Sequence, residues 1–317
     1  MIRRVQRPLT TVDRRARMLS ASMAGAVRLA ILAQARGGDD SAWRDAMLVF
    51  ARAYVVAYLL GAANERRGMV MRGLLPPIDP GAPLEMPPQP VVFSQAAAFV
   101  LPYRDAVNVF RRDVPNLSGA AAGGAARATN SAIGMLARMR GIADKIIRAT
   151  VERVTAADDF TSPAPDVVAR EIAETLGPDA VATRLEPELR TAMSEAFNGG
   201  ARETIRQNAD VVPVTMLSEI HDRRTRGNPR GLYPEPHRHW QMDGFAAPSD
   251  DPIWDRITPP NGWNCRAGIR SMSVAECRRR GWILPGGGLD RDALRKQFAS
   301  QWRLIRAGRY PDPDFKS

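Results

Sequence analysis

The residues of this 317-residue chain that could do chemistry crowd into one segment. All three histidines (His221, His237 and His239) and one of the two cysteines, Cys265, lie between positions 220 and 266, among Asp222, Asp243, Asn261 and Asn264. Three chemistries are open to them. Cys265, Cys277, His237 and His239 are the right ligand types for a structural zinc ion, but the cysteines are twelve positions apart and form no two-residue knuckle. His239 as a general base, with Asn261 or Asn264 and Asp243 holding water or metal beside a phosphate, would make a nuclease. Cys265 activated by a histidine would be a nucleophile. Gly286-Gly287-Gly288 does not add a phosphate cradle, because it lacks the preceding strand, the lysine and the following helix.

A structural reading accounts for more of these residues with fewer assumptions. Pro259 and Pro260 fix an extended entry, Asn261-Gly262 makes a turn, and Trp263 anchors an irregular layer. Asp222 and Arg266 fall on two expected strands and are placed to pair between them. A long loop with few regular backbone bonds needs such side-chain ties to stay ordered. On this reading there is no catalytic residue, no metal and no cofactor.

The elements that must position this segment follow from period and punctuation. Apolar residues among arginines suggest a helix from about Val12 to residue 36, stopped by Gly37-Gly38. Asp39-Asp40-Ser41 offers a cap for a helix from Ala42 to about Asn64 that is apolar nearly all round between Leu48 and Leu60. Leu48, Tyr54, Val55, Tyr58 and Leu59 on that helix are the candidate partner-binding residues. A proline-rich stretch, 76–92, reads as a linker. Helices are expected over 94–112 and 133–154, then from 166 to about Gly177, then through Leu185, Leu189, Met193, Phe197 and Gly200. Beyond Pro213 the period changes to two. Val214, Met216 and Ile220 form the inward face of a half-buried strand, and Cys265, Ala267 and Ile269 that of a second. Ser273 and Glu276 make a capping box, Asp290 caps a last helix to about Arg306, and the tail after Tyr310 is expected to fray.

The implied architecture is α+β: mainly helical N-terminal and middle regions, then a small antiparallel sheet with long ordered loops. Its expected divisions are a helical arm (1–75), the linker (76–92), a helical region (93–185), the motif-bearing domain (186–289), and a C-terminal helix and tail (290–317).

Composition bounds the partners. Hydrophobic content is 44% and charged content 25%, ordinary for a globular chain. Net charge is +11, and Lys145, Lys296 and Lys316 are the only lysines. Codon bias would account for an arginine excess, but whatever its origin the charge favours a polyanion such as double-stranded DNA. Two cysteines make no disulfide framework. The longest apolar run, 53–63, is shorter than the roughly 20 residues a bilayer requires, so no membrane partner is expected.

At the segment 222–266 the sequence resembles the phage Mu F-like family of minor head proteins, also called head-morphogenesis proteins. The matching positions are Asp222, Arg224, Thr225 and Arg226, then His239, Met242, Asp243 and Gly244. Trp254 follows, and then Pro259, Pro260, Asn261, Gly262, Trp263, Asn264, Cys265 and Arg266. Arg190-Thr191 and Asn198 to Arg202 extend the likeness upstream, and Leu101 to Ala106 is similar to an early segment of the family. Two departures stand out. Ala267 replaces the second cysteine of the family's Cys-Arg-Cys ending, and 227–238 inserts about a dozen residues before His239. The resemblance implies a structural capsid protein rather than an enzyme. It implies a place in the virion head near the portal vertex, with portal protein, major capsid or scaffold protein and packaged DNA as partners.

Overall fold

The structure, a computed structural model, describes residues 25–38, 41–76, 139, 141–154, 156, 165–175, 178–234, 238–263, 265–312 and 315. The linker beyond Pro76 and the helix expected over 94–112 lie outside these, as does most of the tail. In chain order the named elements are α1 (Ser41–Met71), α2 (Pro165–Thr175), α3 (Pro178–Gln207), β1 (Val214–Ser218), α4 (His239–Met242), β2 (Ala246–Pro248), α5 (Trp254–Ile257), β3 (Gly268–Met272), α6 (Val274–Arg279), α7 (Arg291–Gln297) and α8 (Ala299–Arg306). Residues 25–35 and 141–154 are also helical. The α+β expectation holds: helices dominate, and one three-stranded antiparallel sheet lies in the C-terminal part.

The described residues divide into two compact units. The first holds those up to 56 and those from 139 to 193. Its interior is built from Ala30, Ile31, Trp43, Phe50 and Tyr54, with Ala143, Val168, Ile172 and Met193. Polar ties cross it: Trp43 Nε1 donates to Gln34 Oε1 (2.9 Å), whose amide donates to Asp144 (2.8 Å). Helix α2 follows the expected 3.6-residue period, burying Val168, Ala169 and Ile172.

The second unit holds residues 57–76 and those from 194 onward. Within it the C-terminal halves of α1 and α3 meet backbone to backbone. A Cβ on Gly61 would stand 1.8 Å from Phe197 O, and one on Gly200 would stand 1.8 Å from Tyr58 O, so neither position admits a side chain. The strand order is β2-β1-β3. Val214 faces Pro248 and Met272, Thr215 faces Ala247 and Ser271, and Met216 faces Ala246 and Arg270. The helices tie to this sheet through polar groups. Glu65 Oε1 accepts from Ser271 N (3.2 Å) and from its hydroxyl, while Arg72 donates to Ser271 O (2.8 Å). Arg202 donates to Ser249 O (2.6 Å) and Asn198 to Ala267 O (3.3 Å). An aromatic core gathers at Phe245, whose ring lies 5.4 Å from Trp302, 5.9 Å from Phe298 and 6.0 Å from Trp254.

Several sequence expectations are corrected. Helix α1 runs seven residues past Asn64, to Met71, while the helix expected through Leu185 to Gly200 is present as α3, 30 residues long. The first strand ends at Ser218, and β1 is covered on both faces. Val214, Thr215 and Leu217 are all fully buried, whereas Met216 and Ile220, expected to point inward, are only half-buried. The second strand starts at Gly268, not Cys265, and β2 was not foreseen because Ala-Ala-Pro carries no alternation. The last helix is two, broken at Phe298. The capping box at Ser273 and Glu276 and the Asp290 cap are present as expected. Tyr54, Tyr58 and Leu59 of the candidate docking helix are buried, while the side chains of Leu48 and Val55 lie outside the described set.

The helix contact gives a direct test. Gly200→Ala must push two backbones apart, and the expected loss is about 3 kcal/mol of unfolding free energy. Urea denaturation of the two proteins measures it, with a surface change such as Ala275→Ser as the neutral control.

Candidate functional site: a buried imidazole between carboxylates

The chain leaves β1 at Ser218 and enters the segment singled out above. Glu219 is the first residue beyond the strand, and its backbone N–H donates to Asp243 Oδ1 (2.9 Å). The other oxygen of Asp243 pairs with His221 Nε2 at 3.0 Å. His221 is part-exposed and stacks on Trp240 with ring centroids 4.1 Å apart. Gly244 turns the chain back toward β2 with a φ of +74°, a left-handed conformation that suits glycine.

Asp222 ties the far side. Arg266 donates to it through both terminal nitrogens (2.7 and 2.6 Å), and Arg224 N adds a third bond at 2.8 Å. The Arg266 fork holds the Asp222 carboxyl down at about 2. The pair forms as its residue types suggest, although both partners sit just outside the strands. Thr225 is buried, its hydroxyl donating to Ile220 O, and the Arg224 side chain is exposed. The insertion is closed at its base by Gly227 N to Tyr233 O (2.8 Å) and Leu232 N to Arg223 O (2.6 Å).

The centre is His239, the first residue of α4 and only 2% exposed. Its Nδ1 faces Glu219 Oε1 at 3.4 Å and its Nε2 faces Asp312 Oδ1 at 3.3 Å, with both carboxylates almost wholly buried. Cys265 Sγ lies 3.9 Å from Nδ1, and the Tyr310 ring meets the imidazole edge-on at 5.4 Å. Burial alone would lower the His239 pKa. Asp312, Cys265 and Glu219 outweigh it and push the value up to about 12. Burial likewise raises the Glu219 carboxyl, with His239 opposing. The arrangement favours a protonated imidazole facing a carboxyl group on each side.

Arg226 completes the charge balance by pairing with Asp312 through NH1 and donating from NH2 to Trp263 O (2.8 Å). Gly262 makes room for that pair, since a Cβ there would meet Asp312 Oδ2 at 2.3 Å. Asn261 is fully buried, its amide donating to Tyr310 Oη (2.6 Å) and Ile257 O (2.9 Å). Trp254 is buried too, with its indole N–H on Pro248 O (2.9 Å). Pro259 and Pro260 are buried, Trp263 packs edge-on against Phe315 at 5.4 Å, and Asn264 lies outside the described residues.

The three chemistries fare differently. The zinc set drawn from sequence does not assemble. Cys277 sits in the apolar core, where burial raises its thiol to about 11, and His237 lies outside the described residues. The nuclease set does not converge on an open cleft. His239 and Asn261 are sealed in, and the Asp243 carboxylate is taken by Glu219 N and His221. Glu219, Tyr310 and Asp312 were missed. The tail expected to fray after Tyr310 is instead locked there, with Tyr310 fully buried and Asp312 5% exposed. The available signal was Tyr310-Pro311-Asp312-Pro313, a rigid aromatic-proline string unlike a solvated end.

Comparison with known proteins supports the same family as the motif. The chain is 30% identical over 98 residues to a protein of Haemophilus influenzae named Mu-like prophage FluMu F protein, covering 31% of this chain and 21% of that one. It is 32% identical over 113 residues to the putative capsid assembly protein F of Escherichia phage Mu, covering 36% and 22%. The two similarities support a Mu F-like family. The chain spans about a fifth of the length of the curated relatives it matches. No family profile matches it, and no solved structure does. No helix among the described residues is long and apolar enough to cross a membrane.

The Asp222 pair makes a signed prediction. A depressed carboxylate contributes stability above its unfolded pKa of about 3.9, and that contribution is lost as pH falls toward about 2. Asp222→Asn should therefore be less stable than wild type by a constant margin above about pH 4, with the two unfolding curves converging as pH approaches 2. Urea midpoints across that range measure it.

Proposed function

We propose that this chain is a structural capsid assembly protein of a tailed phage or prophage, acting in the head near the portal vertex. The observation that carries the reading is that its motif residues are used up in internal ties. Asp222, Arg226, His239, Asp243, Asn261 and Arg266 each pair or bond within the chain, and His239 and Asn261 are buried as well. Similarity to curated proteins bearing capsid-assembly and phage F names supports the same reading. Portal protein and major capsid or scaffold protein are the proposed partners.

Packaged double-stranded DNA is the proposed third partner. The support is the net charge of +11 and the exposed run Arg278-Arg279-Arg280 at the end of α6, with Arg303 and Arg306 exposed on α8. Such contact is non-specific and releases counterions, so apparent affinity should fall at least about tenfold between 50 and 200 mM salt. Fluorescence anisotropy on two unrelated duplexes of equal length should give matching curves.

Two measurements test the function. Purified particles should contain the chain, and its deletion should leave heads that fail to mature or fill. Incubation of supercoiled plasmid with divalent metal should leave it intact. Nicking by wild type that is lost in His239→Ala would favour an enzyme and overturn the reading, as would particles that mature normally without the protein.

A further inference from the structure

Three different ligand types converge on one edge of the His239 ring. Nδ1 lies 3.4 Å from Glu219 Oε1 and 3.9 Å from Cys265 Sγ, and one donor atom from each of the three residues lies within 4.8 Å of the others. A tetrahedral ion bonded to nitrogen and oxygen at about 2.0–2.1 Å and to sulfur at about 2.3 Å sets its donors about 3.3–3.6 Å apart. The two separations at Nδ1 depart from that by only a few tenths of an ångström, and the third is no more than 4.8 Å, so the donors must draw together for an ion to bind.

Glu219 Oε1 points independently to a ligand. The side chain is 4% exposed, yet this oxygen has no hydrogen-bond partner and reaches Nδ1 only at ion-pair distance. A buried carboxylate oxygen left in this way normally finds a donor or a cation. The opposite ring nitrogen has a carboxylate behind it, at ion-pair distance and without a hydrogen bond. Nε2 faces Asp312 Oδ1 at 3.3 Å, and Asp312 is itself paired with Arg226. A carboxylate on the far nitrogen fixes the tautomer that leaves Nδ1 free to coordinate. Cys265 is the half-buried member and so gives an ion its way in.

We propose that Glu219 Oε1, His239 Nδ1 and Cys265 Sγ form a site for one divalent cation of the zinc type, with Asp312 as the positioning residue behind the imidazole. Binding releases two protons, one from the imidazolium and one from the thiol. The carboxylate and thiolate then balance the 2+ charge, so the buried cluster stays neutral in either state. An imidazole, a carboxylate and a thiolate together suit zinc or cobalt rather than magnesium or calcium, which take all-oxygen shells. This set shares His239 and Cys265 with the zinc set drawn from sequence but replaces His237 and Cys277 with Glu219.

The test uses the full chain, stripped with chelator and titrated with Co²⁺. One equivalent should produce a thiolate-to-cobalt charge-transfer band and the visible bands of a tetrahedral site, and Zn²⁺ should abolish both. Cys265→Ser should lose the charge-transfer band and Cys277→Ser should keep it, with far-UV circular dichroism confirming that each variant is folded. Asp312→Asn should weaken Co²⁺ binding about 10–100-fold. In wild type, Zn²⁺ should also shield Cys265 from alkylation, a measurement that does not depend on any variant folding. A wild-type spectrum without the charge-transfer band, a band that survives in Cys265→Ser, or alkylation of Cys265 unchanged by Zn²⁺ would each overturn the proposal.

Discussion

The irregular half of this protein depends on keeping one ionised cluster neutral out of water. Glu219, His239, Asp312 and Arg226 bring two negative and two positive charges together, three of them almost wholly buried. Removing charges from water is expensive, and their mutual attraction repays this only when each has a partner in place. Deleting one partner from such a buried set costs about 3–5 kcal/mol, because the remaining charge is stranded. The cluster therefore specifies geometry more than it adds stability. It joins the exit of β1, the start of α4 and the segment after α8, three places far apart in sequence with no shared regular hydrogen bonding. The smaller features around it serve that join. Gly262 leaves space for the Arg226–Asp312 pair, and Asn261 holds the Tyr310 hydroxyl while its backbone carbonyl accepts from Asp312 N at 2.9 Å.

The sheet beneath poses a similar problem at another scale. Three strands of five, three and five residues are marginal by themselves. They are held because helices from both ends of the unit reach their backbone. Glu65 of α1 and Arg72 just after it meet at Ser271, on the β3 edge, and Arg202 of α3 donates to Ser249 O just beyond β2. Those arms can reach the sheet only because α1 and α3 approach at Gly61 and Gly200 without intervening side chains. The order of dependence runs from helix contact to sheet, and from sheet to the fixed position of Glu219 one residue past β1.

What the sequence disclosed, and what it hid, follows the range of each interaction. Local signals were legible: the Ser273–Glu276 box, the Asp290 cap and the amphipathic face of α2 lie within a few residues of one another. The Asp222–Arg266 pair was legible because both residues stood in conspicuous strings. Glu219 was not, since a carboxylate alternating along a strand pattern reads as a solvated position, and its burial comes from partners 20 and 93 residues away, at His239 and Asp312. The inward face of β1 was misread because alternation identifies a buried face only when the other face is wet. Here Thr215 and Leu217 are buried as fully as Val214. For the candidate site, sequence found the central histidine and the cysteine beside it, but neither of the acids that define its chemistry.

On the proposed assembly reading, a closed cluster is suitable for a reason independent of whether a proton or a metal ion occupies it. Surfaces that dock must keep their shape before the partner arrives, since ordering a loop on contact subtracts from affinity. The segment from Glu219 to Arg266 has little regular structure, yet its side-chain ties leave it few alternatives. The insertion shows the consequence: bonds at its base hold the stem, while Leu232 and Tyr233 remain more than half exposed. With the imidazole protonated, one proton neutralises the inner carboxylates. With a divalent ion bound, the ion and a thiolate replace it at the same total charge. Either state removes the same repulsion between Glu219 and Asp312, so the surface this scaffold presents is set by the neutrality of the cluster and not by the identity of the cation.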